Sequence, residues 1–241
     1  MSHAPLSKLP QFDPRQVPVE GVDAHLPAVH PDLLTPQALR ARFESPPIWS
    51  PEVLREPNFM NRPSTQAAVL IALVMRGPDR QTPHLLLTQR AAHMKTHSGQ
   101  VAFPGGKLDP ADSSLQAAAL REAHEEVGLH ARHVEVLGDL PEYVTGTAFC
   151  VTPVVALVSA DHDIAANADE VAEVFEVPLA YLMNPANHRR HVYDANGVTR
   201  QWFSMPYLDL QERTKGGQPV ERFIWGATAG MLRNFYRFLA A

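Results

Sequence analysis

The sequence predicts an α/β or α+β sandwich around a mixed sheet, on three observations. Short apolar runs of strand length lie on both sides of one well-signalled central helix. A second helix with an apolar stripe closes the chain, and no internal repeat interrupts the order. At 241 residues with 45% hydrophobic content, the chain can bury one sizeable core and an added lobe. The expected division is a proline-rich extension with a short helix, residues 1–66, followed by a main domain, residues 67–241.

The extension is dense in proline from Pro5 to Pro63, which rules out one continuous helix or strand. Thr35-Pro36 followed by QALRARFE reads as a capped short helix with proline at its first position. Phe12, Trp49 and Phe59 argue against complete disorder, so the rest is expected as an extended arm over the core.

From Ala67, AAVLIALV reads as a buried strand bounded by the turn Arg76-Gly77-Pro78-Asp79, and His84 to Thr88 as its hairpin partner. That hairpin delivers Arg90 and the following loop to one end of the sheet. Val101 to Phe103 is a short strand entering Pro104-Gly105-Gly106, where missing Cβ atoms permit close approach of backbone to a ligand or metal.

The central helix follows. Ser113 with Gln116 has the form of a capping box, and Gly128 stands where a left-handed cap would end the helix. Leu115, Leu120, Ala123 and Val127 supply its apolar face. Strands are then expected at Val134–Leu140, at Val151–Val158 after a polar connection from Glu142 to Cys150, and at Glu173–Leu179. Another is expected around Trp202-Phe203, after a loop rich in His and Arg at 188–191. Ile224 to Leu239 reads as the closing helix.

A net charge of -5 argues against a general nucleic-acid binder, though not against a local cationic pocket. Cys150 is the only cysteine, which excludes an intrachain disulfide and a cysteine-based zinc site. The start MSHAPLSKLPQF lacks the pattern of a secretion signal, and the longest apolar run, Ala67 to Met75, is about half a membrane span. The expectation is a cytoplasmic protein without a membrane or nucleic-acid partner.

The last turn of the central helix carries the chemistry. Glu122, Glu125 and Glu126 crowd the negative end of the helix dipole, each at a cost of roughly 0.3 to 1 kcal/mol. Spacings of three and four residues make them neighbours, adding about 0.2 to 0.5 kcal/mol of repulsion per pair. A solvated acidic face is one reading. The other is coordination, because carboxylate oxygens are the ligands that Mg²⁺ or Mn²⁺ prefers.

Arg121-Glu122-Ala123-His124-Glu125-Glu126-Val127-Gly128-Leu129 resembles the helical end of the Nudix hydrolase signature, GX5EX7REUXEEXGU. Two departures stand out: Asp112 holds the place of the first glutamate, and eight residues rather than seven separate it from Arg121. The upstream run LLLTQRAAHMKTHSGQVAFPGG, Leu85 to Gly106, is similar to the motif of the coenzyme A pyrophosphatase branch, which commonly carries such a longer, Asp-rich box.

The resemblance implies a Nudix-type α/β/α sandwich around a mixed β-sheet, and Mg²⁺- or Mn²⁺-dependent hydrolysis of the diphosphate in coenzyme A or its thioesters. It implies Glu122 and Glu126 as metal ligands, Glu125 as ligand or water-orienting base, and the Gly106 carbonyl as a further ligand. Arg121 would orient a glutamate, with Asp109 and Asp112 both candidates for its own partner. Arg90, Lys95, His97, Gln100 and Gly105 would bind the substrate phosphates. Other nucleoside diphosphate derivatives, such as NADH or ADP-ribose, are the alternative substrates. A silent binding module is the alternative from another class.

Glu170, in the run Glu170-Val171-Ala172-Glu173, is either an acid aimed at the site or part of a solvated turn.

Overall fold

The computed structural model describes residues 12–57, 63–93, 99–195, 198–214 and 216–241. Lys95, His97 and Phe59 lie outside the described residues. The chain runs β1 (Val19–Val22), α1 (Pro36–Glu44), β2 (Thr65–Arg76), β3 (Thr82–Arg90), β4 (Val101–Ala102), β5 (Gly105–Lys107) and α2 (Leu115–Val127). It continues through β6 (Val134–Asp139), β7 (Tyr143–Val144), β8 (Phe149–Val158), β9 (Val171–Pro178) and α3 (Leu179–Leu182). β10 (Arg189–Ala195), β11 (Val198–Arg213), β12 (Pro219–Trp225) and α4 (Gly226–Ala240) complete it.

Eight strands form the central sheet, along the path β4-β3-β2-β8-β6, with β5 beside β2, β7 beside β8 and β9 beside β3. β2 and β8 pair in parallel from Thr65↔Phe149 to Val74↔Val158, and the other pairs are antiparallel, so the sheet is mixed. β2 is buried on both faces, which is why its sequence is continuously apolar. Ala68, Leu70, Ala72 and Val74 face α2 through Ala118, Ala119, Ala123 and Val127. Ile71 and Leu73 face the larger core, which α4 fills with Leu232, Phe235 and Leu239. Helices therefore cover both faces, giving the expected α/β/α sandwich.

The expected hairpin of β2 and β3 is present. Other boundaries differ from the sequence reading. The cap of α2 is Ser114, whose hydroxyl accepts from the Ala117 amide at 3.0 Å, rather than Ser113. The supposed loop at 188–191 runs into β10, because its residues pair with β11 in a second antiparallel sheet, β1-β10-β11-β12. The polar connection before β8 contains β7. Ile224 and Trp225 end β12, and the closing helix starts at Gly226.

The extension is built into the core. β1 adds an edge strand to β10, while Val29, Leu34 and Leu39 are buried among core residues. α1 is capped by Thr35 as expected, and Phe43 and Trp49 both meet the Phe238 ring, at 4.8 and 5.2 Å between centroids. The Asn234 side chain accepts from the amides of Glu52 and Val53, each at 3.0 Å. Arg233, 1% exposed, pairs with Asp23 at 2.9 Å and Glu52 at 2.7 Å, and donates to His188 Nδ1 at 3.1 Å. The extension is thus tied to α4 by a charged network as well as by apolar packing.

Candidate active site

The glycine turn and α2 meet at β5. β5 pairs with β2 through Val69↔Gly105 and Ala68↔Gly106, which brings the turn over the last half of α2. A Cβ on Gly106 would fall 2.3 Å from Glu122 Oε1, and one on Gly105 would fall 2.4 Å from the Ala68 carbonyl oxygen. At Gly105 the obstacle is backbone and no other residue fits, whereas at Gly106 the Glu122 carboxylate would have to move. The sequence reading assigned the glycines to close approach by a ligand; the structure adds that the chain's own carboxylate and strand already occupy that space.

The three glutamates are held differently. Glu126 is 4% exposed and accepts from the Gly105 amide at 3.1 Å. Arg90 Nη1 stands 3.8 Å from its other oxygen. Burial pushes the Glu126 carboxyl up to about 7, opposed by the Gly105 amide and Arg90 and reinforced by Glu122 and Glu170. Glu122 is half-buried and is likewise raised, by desolvation first. Glu125 is 55% exposed and bonds Arg121 at 3.0 Å.

Arg121 is the hub of this turn. Its Nε and Nη2 hold the two oxygens of Asp112, each at 3.0 Å, while Nη1 donates to Glu122 and Glu125, and Nη2 also donates to the Lys107 carbonyl. Asp112 rather than Asp109 is therefore its bidentate partner. Asp109 serves the turn, where its amide donates to Asp112 Oδ2 at 2.8 Å. The guanidinium beside Asp112 holds that carboxyl below the usual range.

Arg90 ends β3, its amide donating to the Gln100 carbonyl at 3.0 Å and its carbonyl accepting from Gly99 at 3.1 Å. The loop between is thereby closed at its base. Arg90 Nε is buried with no hydrogen-bond partner among the described residues. Such an unsatisfied donor beside a buried carboxylate is costly unless an acceptor completes the site.

Glu170 enters from the loop before β9. The Asn167 amide of that loop donates to the Glu126 carbonyl at 2.9 Å, and the Glu170 carbonyl accepts from the Ala91 amide at 2.9 Å. Its charge adds to the rise of both Glu122 and Glu126, so this acid lies within electrostatic reach of the cluster. Sequence alone left that open, because the bonds that hold the loop against the end of α2, from the Ala165 amide to the Val127 carbonyl and from the Asn167 amide to the Glu126 carbonyl, join residues distant in sequence.

Among the described residues no three side chains of His, Cys, Asp or Glu stand together at metal-binding range. Arg121 takes up Glu122 and Glu125, each through Nη1 at 3.0 Å. The donor set nonetheless suits a hard divalent cation. Two carboxylates four residues apart on α2, both raised first by desolvation, gain from a cation what burial costs them.

A mixed sheet between helices, with a glycine turn packed on an acid-ended helix, defines the Nudix class of fold. The NUDIX domain family model matches residues 65–201. A Nudix hydrolase NudL from Enterobacter sp. (strain 638), described as uncharacterized, is 44% identical over 206 residues, covering 83% of this chain and 93% of that protein. Its counterpart in Shigella flexneri serotype 5b (strain 8401) is 41% identical over 202 residues, with the same coverage. A solved Nudix hydrolase of M. smegmatis, RenU, is 28% identical, covers 49% of this chain and 71% of its own, and has a TM-score of 0.38. The chain belongs to the Nudix hydrolase family, whose members act on nucleoside diphosphate derivatives.

Proposed function

We propose that this chain hydrolyses the diphosphate of coenzyme A or its thioesters in a reaction dependent on Mg²⁺ or Mn²⁺. The products would be 3′,5′-ADP and 4′-phosphopantetheine or its acyl form. The observation that carries the chemistry is Glu126, a buried carboxylate between the Gly105 amide and Arg90, with Glu122 and Glu170 close by. The run Leu85–Gly106 supports the choice of substrate, since Arg90 and Gln100 stand at the mouth of the loop that the branch motif occupies.

Glu122 and Glu126 are the proposed metal ligands, with Glu125 and the Gly106 carbonyl completing the set. A bound cation would neutralise the diphosphate and lower the pKa of a water molecule. Arg90, Lys95, His97, Gln100 and Gly105 bind the phosphates, and Arg90 Nε–H finds there the acceptor it lacks. Arg121, braced by Asp112, sets the rotamers of Glu122 and Glu125. An oriented water and a held diphosphate then meet the proximity and charge requirements of an anhydride cleavage.

The test is a substrate panel. Purified protein with Mg²⁺ or Mn²⁺ is incubated with coenzyme A, acetyl-coenzyme A, NADH and ADP-ribose, and the products are separated by chromatography. Cleavage of coenzyme A to 3′,5′-ADP is expected. Intact coenzyme A beside cleaved ADP-ribose or NADH would reject the assignment.

A further inference from the structure

A cavity of about 550 Å³ touches none of the acids of α2. It opens between the end of the extension, the second sheet and the first turns of α4, a size ordinary for a small-molecule site. Most of its walls come from residues before 65 or after 201, outside the stretch that matches the family model. It is a feature of what this chain adds to the domain.

We propose that this cavity seats the nucleoside half of the substrate, an inference that rests on the diphosphatase reading above. Position is the first argument. Tyr143 on its wall lies in β7, and the strands run β7-β8-β2-β5 to the glycine turn, about three strand spacings or ~14 Å. An extended nucleoside diphosphate spans such a gap. The Thr228 hydroxyl, in the first turn of α4, donates to the Val101 carbonyl at 3.1 Å, so cavity wall and glycine turn share the short segment Val101–Gly105.

Chemistry is the second argument. Trp202 lies parallel to His191, with 5.4 Å between centroids and 8° between planes, and both line the cavity. The Trp202 Nε1–H is buried without a hydrogen-bond partner among the described residues, a donor awaiting an acceptor. A purine offers ring-nitrogen acceptors and a π face; a saturated acyl chain offers neither. At the rim, the exposed Arg55 has no carboxylate bonded to it among the described residues and suits a further phosphate on the ribose. Gly230 leaves room for the Tyr143 ring, since a Cβ there would come within 2.5 Å of the hydroxyl oxygen.

Adenosine 3′,5′-bisphosphate, which carries the further ribose phosphate, is titrated without metal while tryptophan fluorescence is followed. Quenching is expected in the wild type and should vanish in Trp202→Phe. Arg55→Ala and Gln201→Phe alter exposed positions. Each should weaken nucleotide binding and raise KM for the intact substrate at least about tenfold, ~1.4 kcal/mol, with kcat within about twofold. The nucleotide should also inhibit turnover competitively. Unchanged KM and unchanged quenching in both variants would overturn the inference, as would inhibition that is not competitive. If the wild type cleaves no diphosphate, the functional reading fails, while quenching lost in Trp202→Phe and weakened in Arg55→Ala would still support a nucleotide in the cavity.

Discussion

Glu126 shows how one position can be poor for the bare chain and useful to a reaction. It is buried in the last turn of a helix whose dipole disfavours it, and the Gly105 amide bonds it. Glu126→Gln should keep the fold, because the amide still packs there, and lower turnover by at least about a hundredfold. Steady-state kinetics beside a melting curve checks this; near-normal kcat would remove Glu126 from the metal site. Arg90 predicts the complementary pattern. Arg90→Ala should raise KM more than it lowers kcat, because its unsatisfied Nε–H is available to bound phosphate rather than to the reacting water. An unchanged KM would dismiss it as a phosphate ligand.

The elements of the site were legible where a local signal exists. Gly128 does take the left-handed conformation, φ 71°, that closes α2, and Thr35-Pro36 does open α1. The cap itself was misplaced by one residue, since Ser113 and Ser114 offer the same hydroxyl and only the extended backbone of Ser114 selects it. Ser114→Ala should therefore lower stability by about 1 kcal/mol, and Ser113→Ala by a few tenths at most. Chemical denaturation of the two variants compares them directly.

The second sheet was not legible. Arg189, Arg190 and His191 carry no alternation that announces a strand, and they form one because β11 supplies a long partner. Glu170 and the Arg121 partner were left open for the same reason. Both depend on loops whose positions are set by residues distant in sequence.

At the scale of the molecule, the network of Arg233, Asp23, Glu52 and His188 joins the extension to α4 and β10. Arg233→Met leaves Asp23 with Arg190 alone, at 2.8 Å, and takes from Glu52 its 2.7 Å partner, for a loss of roughly 1.5–3 kcal/mol. Urea denaturation would show it as a lowered midpoint. His188 adds a dependence on pH. Its Nδ1 accepts from Arg233 and its Nε2 donates to the Leu182 carbonyl, so the ring is neutral, and burial lowers its pKa from 6.5 to about 4. The unfolded chain takes up this proton first as pH falls. The stability of the neutral ring is thus complete above pH ~6.5 and is lost progressively towards pH ~4, about 3 kcal/mol in all. Melting curves across that range should slope less steeply in His188→Gln.

The parallel pairing of β2 with β8 has a consequence for synthesis. Thr65 leaves the ribosome long before Phe149, its first cross-strand neighbour, yet β2 is apolar on both faces. β3 and β5 pair with the opposite edge of β2, at Leu73–Arg76 and at Ala67–Val69. Until β8 emerges, the edge it will occupy stays unpaired and oily, open to any other chain. Slowing translation between these segments should raise the fraction of chains recovered as inclusion bodies, and supplying a chaperone that shelters nascent strands should reverse it.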